Sequence, residues 1–190
     1  MRSSTSKRPE RKPRVPRPLD PRLLDELALA YVARFATSAR KLEDYLRRKL
    51  RERGWAGDAA ADVAAVSARL VEAGYVDDTA FARARSSSLL RRGYGARRVS
   101  QALGAAGIAE AVRAEVRPDL SEARAAALAL ARKRRFGPYA STPPDRPQRE
   151  KQLSAMLRAG HPLDSARELV NAPSIAAAEE WAAENVEDWR

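Results

Sequence analysis

Three glycines recur at a constant interval along this chain, and they constrain its fold more than any other feature of the sequence. The two intervals between Gly54, Gly107 and Gly160 are both 53 residues. Each glycine ends a segment with helical periodicity, as expected of a residue that tolerates positive φ. Each also has an apolar residue four positions before it and a hydrophobic or aromatic residue directly after it: Leu50 and Trp55, Leu103 and Ile108, Met156 and His161.

This regular interval has two interpretations. Helices often end at glycine, so equal spacing alone could arise by chance. The matching flanks, and the helical segments before and after each glycine, favour an internal repeat of three tandem three-helix units. In such arrays each unit packs mainly on its neighbours, so we expect an elongated, curved helical array with one long face for a partner.

The pattern of apolar residues predicts an all-α protein, because no segment shows the sustained alternation of a strand. Asp20 is expected to cap the first helix, Ser38 the second and Asp58 the third, since short polar side chains accept hydrogen bonds from free helix amides. A central helix is expected to begin at Asp77 or Asp78. Its inward face is predicted to carry Phe81, Ala84, Ser88 and Leu89.

These signals divide the chain into five segments. They are a disordered basic arm at 1–19, three-helix repeats at 20–74, 75–117 and 118–171, and an acidic capping helix at 172–190. The third repeat contains a proline-rich loop at 136–147, which we expect to be an exposed excursion. The arm is rich in Pro, Arg and Ser without an apolar period. It could hold a polyanion loosely or serve as a solubilising tail.

Charge is the strongest signal in the composition. The chain has 36 basic and 25 acidic residues and a net charge of +11. That excess favours a polyanionic partner such as nucleic acid, or an acidic protein surface. Cysteine is absent, and no apolar run approaches the roughly 20 residues that cross a bilayer. We therefore expect a cytoplasmic monomer without membrane association.

Groups able to perform catalysis are scarce, so we expect no enzyme activity, no cofactor and no metal. His161 is the only histidine, and a lone histidine favours a structural contact over a triad or metal cluster. The Gly93-Tyr94-Gly95 turn lacks the Lys-Ser/Thr of a phosphate-binding loop. Adjacent carboxylates at the start of the central helix are explained by capping.

Basic residues are the candidates for function. Arg91, Arg92, Arg97 and Arg98 lie on both sides of the turn at Tyr94 and could grip phosphates or carboxylates by forked hydrogen bonds. Helix C-termini favour cations, which explains the first pair but not the second, near a helix start. Tyr94 could stack on a base or fill the turn. The full set of candidate binding residues is Arg83, Arg85, Arg91, Arg92, Tyr94, Arg97, Arg98, Arg132, Lys133, Arg134 and Arg135.

Three motifs resemble those of the RecX family of recombination regulators. They are L-x-x-K-L-x-x-[RK]-G at 46–54, L-x-E-A-G-Y-V-D-D-x-x-F-A at 70–82 and R-R-G-Y-G-x-R-R-V at 91–99. The resemblance extends over about residues 22–171. Residues that carry the motifs or the repeat are interpreted as scaffold: Gly54, Gly74, Tyr75, Asp77, Asp78, Phe81, Gly93, Gly95, Gly107 and Gly160.

This resemblance implies a fold and a function. The implied fold is three tandem three-helix repeats, which agrees with the glycine spacing. The implied function is non-catalytic: binding the RecA–single-stranded DNA filament in its helical groove and restraining the ATPase, strand exchange and coprotease activities of RecA. The arginines of the motifs then become candidate contacts to RecA or DNA.

Two other functions remain open from the residues. A stand-alone DNA-binding helical-repeat protein would use the basic arm and the arginine face, with steeply salt-dependent affinity and no need for a recombinase. A helical-repeat adaptor for an acidic protein would have little affinity for DNA.

Overall fold

The computed structural model describes residues 17–184, which form ten α-helices and no strand. The prediction of an all-α protein built from tandem three-helix units is confirmed. A single turn of 3-10 helix at Gly137–Tyr139 lies between the seventh and eighth helices. The α-helices are α1 (Pro21–Arg34), α2 (Ala39–Arg53), α3 (Val63–Glu72), α4 (Asp78–Arg91), α5 (Ala96–Ala105), α6 (Glu110–Glu115), α7 (Leu120–Arg134), α8 (Arg146–Ala159), α9 (Leu163–Asn171) and α10 (Ile175–Ala183).

Each unit of three helices has its own small aliphatic core. Unit 1 (α1–α3) is centred on Leu42 and Leu46, which are fully buried. Unit 2 (α4–α6) buries Val99 and Leu103. Unit 3 (α7–α9) packs around Met156 and its neighbours, and α10 lies across α7 and α9. The core of unit 1 is separate, whereas the core of unit 2 also includes Ala126 of α7.

Side-chain caps set most helix starts. Asp20 Oδ1 accepts from Leu23 N at 2.8 Å, and Asp77 Oδ1 accepts from Ala80 N at 2.8 Å. The predicted cap at Asp58 is wrong, because α3 begins five residues later and is capped by Asp62. Trp55 accounts for the delay: its Nε1 donates to Ala59 O at 2.7 Å and holds the segment after α2 in a non-helical turn.

The boundary predicted for the N-terminal arm is also wrong at its inner end. Leu19 is fully buried, donates through its backbone N to Gly54 O at 3.0 Å and accepts from Ala56 N at 2.8 Å. An apolar side chain and two backbone hydrogen bonds hold residue 19 in unit 1. The predicted disorder of residues 1–16 and the end of the acidic segment at 185–190 lie outside the described residues.

Two details of the predicted packing need correction. In α4 the buried face carries Ala82, Ser86 and Leu89, whereas Ala84 is exposed. The proline-rich loop is not a free excursion, because Gly137 and Pro144 are buried. Gly137 N donates to the side chain of Gln152 at 2.9 Å, which fixes the start of the loop on α8.

The second helices of the three units meet end to end. Ser38 Oγ, at the start of α2, donates to Ala106 O at the end of α5 over 2.6 Å. Gly95 N, at the start of α5, donates to Ala159 O at the end of α8 over 2.9 Å. Each contact gives a partner to a terminal carbonyl and brings opposite ends of two helix dipoles together. Helices α8, α5 and α2 therefore run head to tail through the array.

The repeated glycines lie at these joints. Gly107 and Gly160 have φ of +77° and +97°. A Cβ on Gly160 would lie 2.5 Å from Arg98 N, and one on Gly107 would lie 2.3 Å from the Cβ of Arg40. Gly54 has a similar φ of +79° but no neighbour within 4 Å of an added Cβ, because it ends the last helix of the row. The constant interval thus reflects helix termination at all three glycines and close approach between units at Gly107 and Gly160.

Replacing a helix-ending glycine by alanine inside and outside a joint should separate the two effects. Gly74 matches Gly160 in its positive φ and in the hydrogen bond from the next residue to the carbonyl five positions back, but it has no neighbour within 4 Å of an added Cβ. Gly74→Ala should lower the free energy of unfolding by about 1–2 kcal/mol, the cost of a left-handed conformation for a residue with a Cβ. Gly160→Ala carries the same cost and must also push the backbone of α5 away, so its loss should be larger by about 1 kcal/mol or more. Urea unfolding followed by far-UV circular dichroism measures both; equal losses would contradict the end-to-end joint.

Candidate functional site

Three helix ends that carry basic residues lie at the junction of units 2 and 3. Helices α4 and α7 pack side by side in the same direction: Ser87 and Glu122 line one cleft between them, and further along a Cβ on Gly93 would lie 2.9 Å from Leu130 N. The C-terminal ends of both helices therefore lie together, and the start of α5 follows directly. We call the exposed basic residues there the junction surface: Arg91, Arg92, Arg98, Lys133, Arg134 and Arg135.

The end-to-end joint explains why a basic residue, Arg97, lies at a helix start, where the helix dipole disfavours positive charge. Arg97 is in the first turn of α5, but its Nη2 donates to Leu157 O at 2.8 Å, in the last turn of α8. The end-to-end joint thus places Arg97 at a helix C-terminus, where positive charge is favourable. Arg97 is a structural residue of the joint, and the adjacent Arg98 is exposed.

Several candidate arginines have intramolecular partners. Arg83 forms an ion pair with Glu115, which connects α4 to α6. Arg132 forms an ion pair with Glu179 of α10 and a 3.4 Å hydrogen bond to the hydroxyl of Tyr139. The hydrogen bonds that Arg132 donates to Tyr139 and Glu179 raise the pKa of Arg132 further above its usual value. Both ion pairs are solvent-exposed, so a partner that binds either arginine would have to displace a carboxylate first.

The remaining basic candidates are exposed. No ion pair within residues 17–184 involves Arg85 or any member of the junction surface. Arg92 lies over the ring of Tyr94 at 5.3 Å, and Tyr94 is itself half-buried against the core of unit 2. The tyrosine therefore fills the turn, and one face of its ring is covered by a guanidinium.

The predicted scaffold residues lie at turns and at both junctions between units. Gly74 and Gly93 have positive φ at helix ends. Asp77 caps its own helix, whereas Asp78 Oδ1 accepts from Ala39 N at 2.9 Å and so ties α4 to the start of α2. Tyr75 is 59% exposed, so it contributes little to the packing expected of it.

His161 is part of the joint between units 2 and 3. Its Nε2 lies 3.0 Å from Gly93 O, and the ring is buried. Because a carbonyl only accepts, the neutral ring carries its proton on Nε2 and donates to Gly93. Burial lowers the pKa of His161, and the hydrogen bond to Gly93 opposes that shift in part.

Arg113 and Arg117 are two basic residues that the sequence did not single out. With Arg97 they line a cleft between α5 and α6. Their positions follow from how α6 folds back on α5, which no local motif records. Within the described residues no group of His, Cys, Asp and Glu could hold a metal ion, and none of the helices there is both long and apolar enough to cross a membrane.

Together, the tandem three-helix units and the arginine-rich junction define a helical-repeat protein with a basic face. Residues 77–116 match the family described as RecX, second three-helix domain. Regulatory protein RecX of Myxococcus xanthus (strain DK1622) is 33% identical over 180 residues, which cover 90% of this chain and 96% of that protein. The chain belongs to the RecX family of regulatory proteins, as the sequence motifs suggested.

A solved structure supports the same fold. The crystal structure of RecX from Lactobacillus salivarius aligns with 77% of this chain and 92% of that chain, with a TM-score of 0.60 and 17% sequence identity. At that identity the likeness establishes the architecture of three-helix units.

The state of His161 predicts how stability depends on pH. Its pKa is lowered in the folded chain, so protons bind the unfolded chain more tightly. This contribution to stability is complete above the unfolded value of about 6.5 and is lost as pH falls below it. His161→Gln keeps a donor for Gly93 O but cannot titrate. Chemical unfolding between about pH 8 and about pH 5 should show a smaller acid loss in the variant; parallel curves would contradict a buried neutral imidazole.

Proposed function

We propose that this protein binds the RecA–single-stranded DNA filament and restrains the ATPase, strand exchange and coprotease activities of RecA without catalysing a reaction itself. The proposal is supported by membership of the RecX family together with one observation. This is the closeness of three helix ends, those of α4 and α7 and the start of α5, each of which carries exposed basic side chains.

The junction surface suits a polyanionic partner. Arg91, Arg98 and Arg134 are exposed, and forked guanidinium groups match the geometry of phosphate and carboxylate oxygens. A net charge of +11 attracts such a partner over several ångströms at physiological salt. In the filament the surface would meet DNA phosphates, acidic side chains of RecA, or both.

The head-to-tail row of helices suggests how binding would restrain a filament. Units 2 and 3 are joined through backbone hydrogen bonds, such as Arg97 N to Gly160 O at 3.3 Å, and so keep a fixed relation to one another. A ligand that fits one arrangement of neighbouring filament subunits favours that arrangement by its differential affinity. The bound filament would then be less able to undergo the conformational changes that ATP hydrolysis and strand exchange require.

Removing three exposed cations of the junction surface should weaken this restraint. With Arg91, Arg98 and Arg134 all changed to Ala, half-inhibition of the single-stranded-DNA-dependent ATPase of RecA should need at least about tenfold more protein, because charge-assisted contacts are lost. The matched control changes Arg22, Arg48 and Arg146 to Ala. These arginines are exposed and paired within their own helices, so the net charge falls equally while inhibition should persist.

The outcomes separate the candidate functions. Equal inhibition by the two triple variants would move the contact away from the junction surface. If the wild-type chain binds single-stranded DNA but leaves RecA hydrolysis unchanged at every ratio, the RecA proposal is contradicted and a stand-alone DNA-binding function is favoured. Circular dichroism of each variant checks that the fold is retained.

A further inference from the structure

A concave cleft in unit 2 gathers three arginines that no family motif joins. It lies between α5 and α6, has a volume of about 340 Å³ and is lined by Arg97, Arg113 and Arg117. Val99, Leu103 and Val116 form its apolar walls. That volume is at the lower end of the range for small-ligand sites, about 300–1,000 Å³.

The charges in the cleft are unbalanced. Glu110 is the one acidic residue in the lining, against three arginines. It forms an ion pair with Nη2 of Arg113, while Nε of Arg113 is buried without a hydrogen-bond partner among the described residues. Arg117 is exposed and forms no ion pair within that part of the chain. The cleft therefore keeps a net positive charge and an unused buried donor, whose desolvation is uncompensated.

Glu110 shows what the cleft can hold. Its carboxylate bonds to the guanidinium of Arg113 as an anionic ligand would, yet the side chain is 77% exposed. Because Glu110 is held on the solvent side of the pair while the side chain of Arg113 is only 25% exposed, the carboxylate can leave for water and open the guanidinium to a stronger acceptor. A phosphate, with more oxygens and a geometry that matches guanidinium forks, is such an acceptor.

We infer that this cleft binds one phosphate of a single-stranded DNA backbone, displacing Glu110 and seating the phosphate between Arg113 and Arg117. The inference deepens the proposed function, since it assigns a place to the DNA within the bound filament. A flexible strand can lower one phosphate into a concave site and rest its sugar on the accessible apolar lining residues Ala114, Val116 and Pro118, whereas a duplex is too stiff to do so. Arg97 borders the cleft and Arg98 belongs to the junction surface, so the strand would pass from one to the other.

Two substitutions with opposite expected effects test this site. Glu110→Gln removes the competing carboxylate and should tighten binding of a fluorescent oligo-dT strand to the full chain several-fold. Arg117→Gln removes a phosphate ligand and should weaken binding about tenfold. It should also reduce the slope of log affinity against log salt by about 0.7, the value for one phosphate contact on a single strand.

Matched controls remove the same charges elsewhere. Glu26→Gln and Arg22→Gln alter an exposed ion pair within α1, so they measure the effect of net charge alone. The inference requires that each cleft variant differ from its control in the stated direction. Equal effects in the cleft and control pairs would overturn it.

The RecA ATPase distinguishes failure of this site from failure of the proposed function. If the cleft variants bind oligo-dT as their controls do while the wild-type chain still inhibits RecA, the phosphate site is wrong and the RecA proposal stands. If they alter binding to RecA without DNA and leave oligo-dT binding unchanged, the cleft takes a protein carboxylate and the inference is again wrong. If the cleft variants change oligo-dT binding as expected but the wild-type chain does not inhibit the RecA ATPase, only the RecA proposal fails.

Discussion

The end-to-end contact between second helices is the constraint on which the rest of this structure depends. Helix termini carry unpaired backbone groups that must find partners, and here Gly95 N and Ser38 Oγ supply them to the carbonyls of the next unit. The contact is possible because the joint residues Gly107 and Gly160 have no Cβ. Three thin aliphatic cores, each small for a stable domain, are thereby fixed in one array.

The same contact determines where charge collects. A cation at a helix start is normally unfavourable, but at each joint the start of one helix coincides with the end of another. Arg97 uses this position to bond to Leu157 O. The parallel packing of α4 on α7 then adds the basic ends of those helices. A basic surface assembled from separate sequence clusters is thus a consequence of how the units join.

The sequence predicted the parts of this fold that local chemistry controls. The glycine interval, the caps at Asp20 and Ser38 and the all-α class all follow from helix termination and periodicity. Tertiary contacts decided the rest. Asp62 caps α3 in place of Asp58 because Trp55 donates a hydrogen bond to the intervening loop. Leu19 belongs to unit 1 because its side chain is buried against residues distant in the sequence. Within the candidate site, the sequence located the basic clusters. It did not predict that the helix ends carrying them lie close together, or that Arg132 pairs with Glu179.

The two junctions differ in a way that bears on binding. Units 2 and 3 are joined by the helix-end contact, by side-by-side packing of α4 on α7 and by the buried bond of His161 to Gly93 O. Units 1 and 2 are joined mainly at helix ends, through Ser38 and Asp78, with Lys41 over the ring of Phe81 at 5.2 Å. Few buried apolar contacts at a junction mean a low cost of local opening. Units 2 and 3, which carry the junction surface, should therefore act as one rigid block, and unit 1 should adjust to the partner.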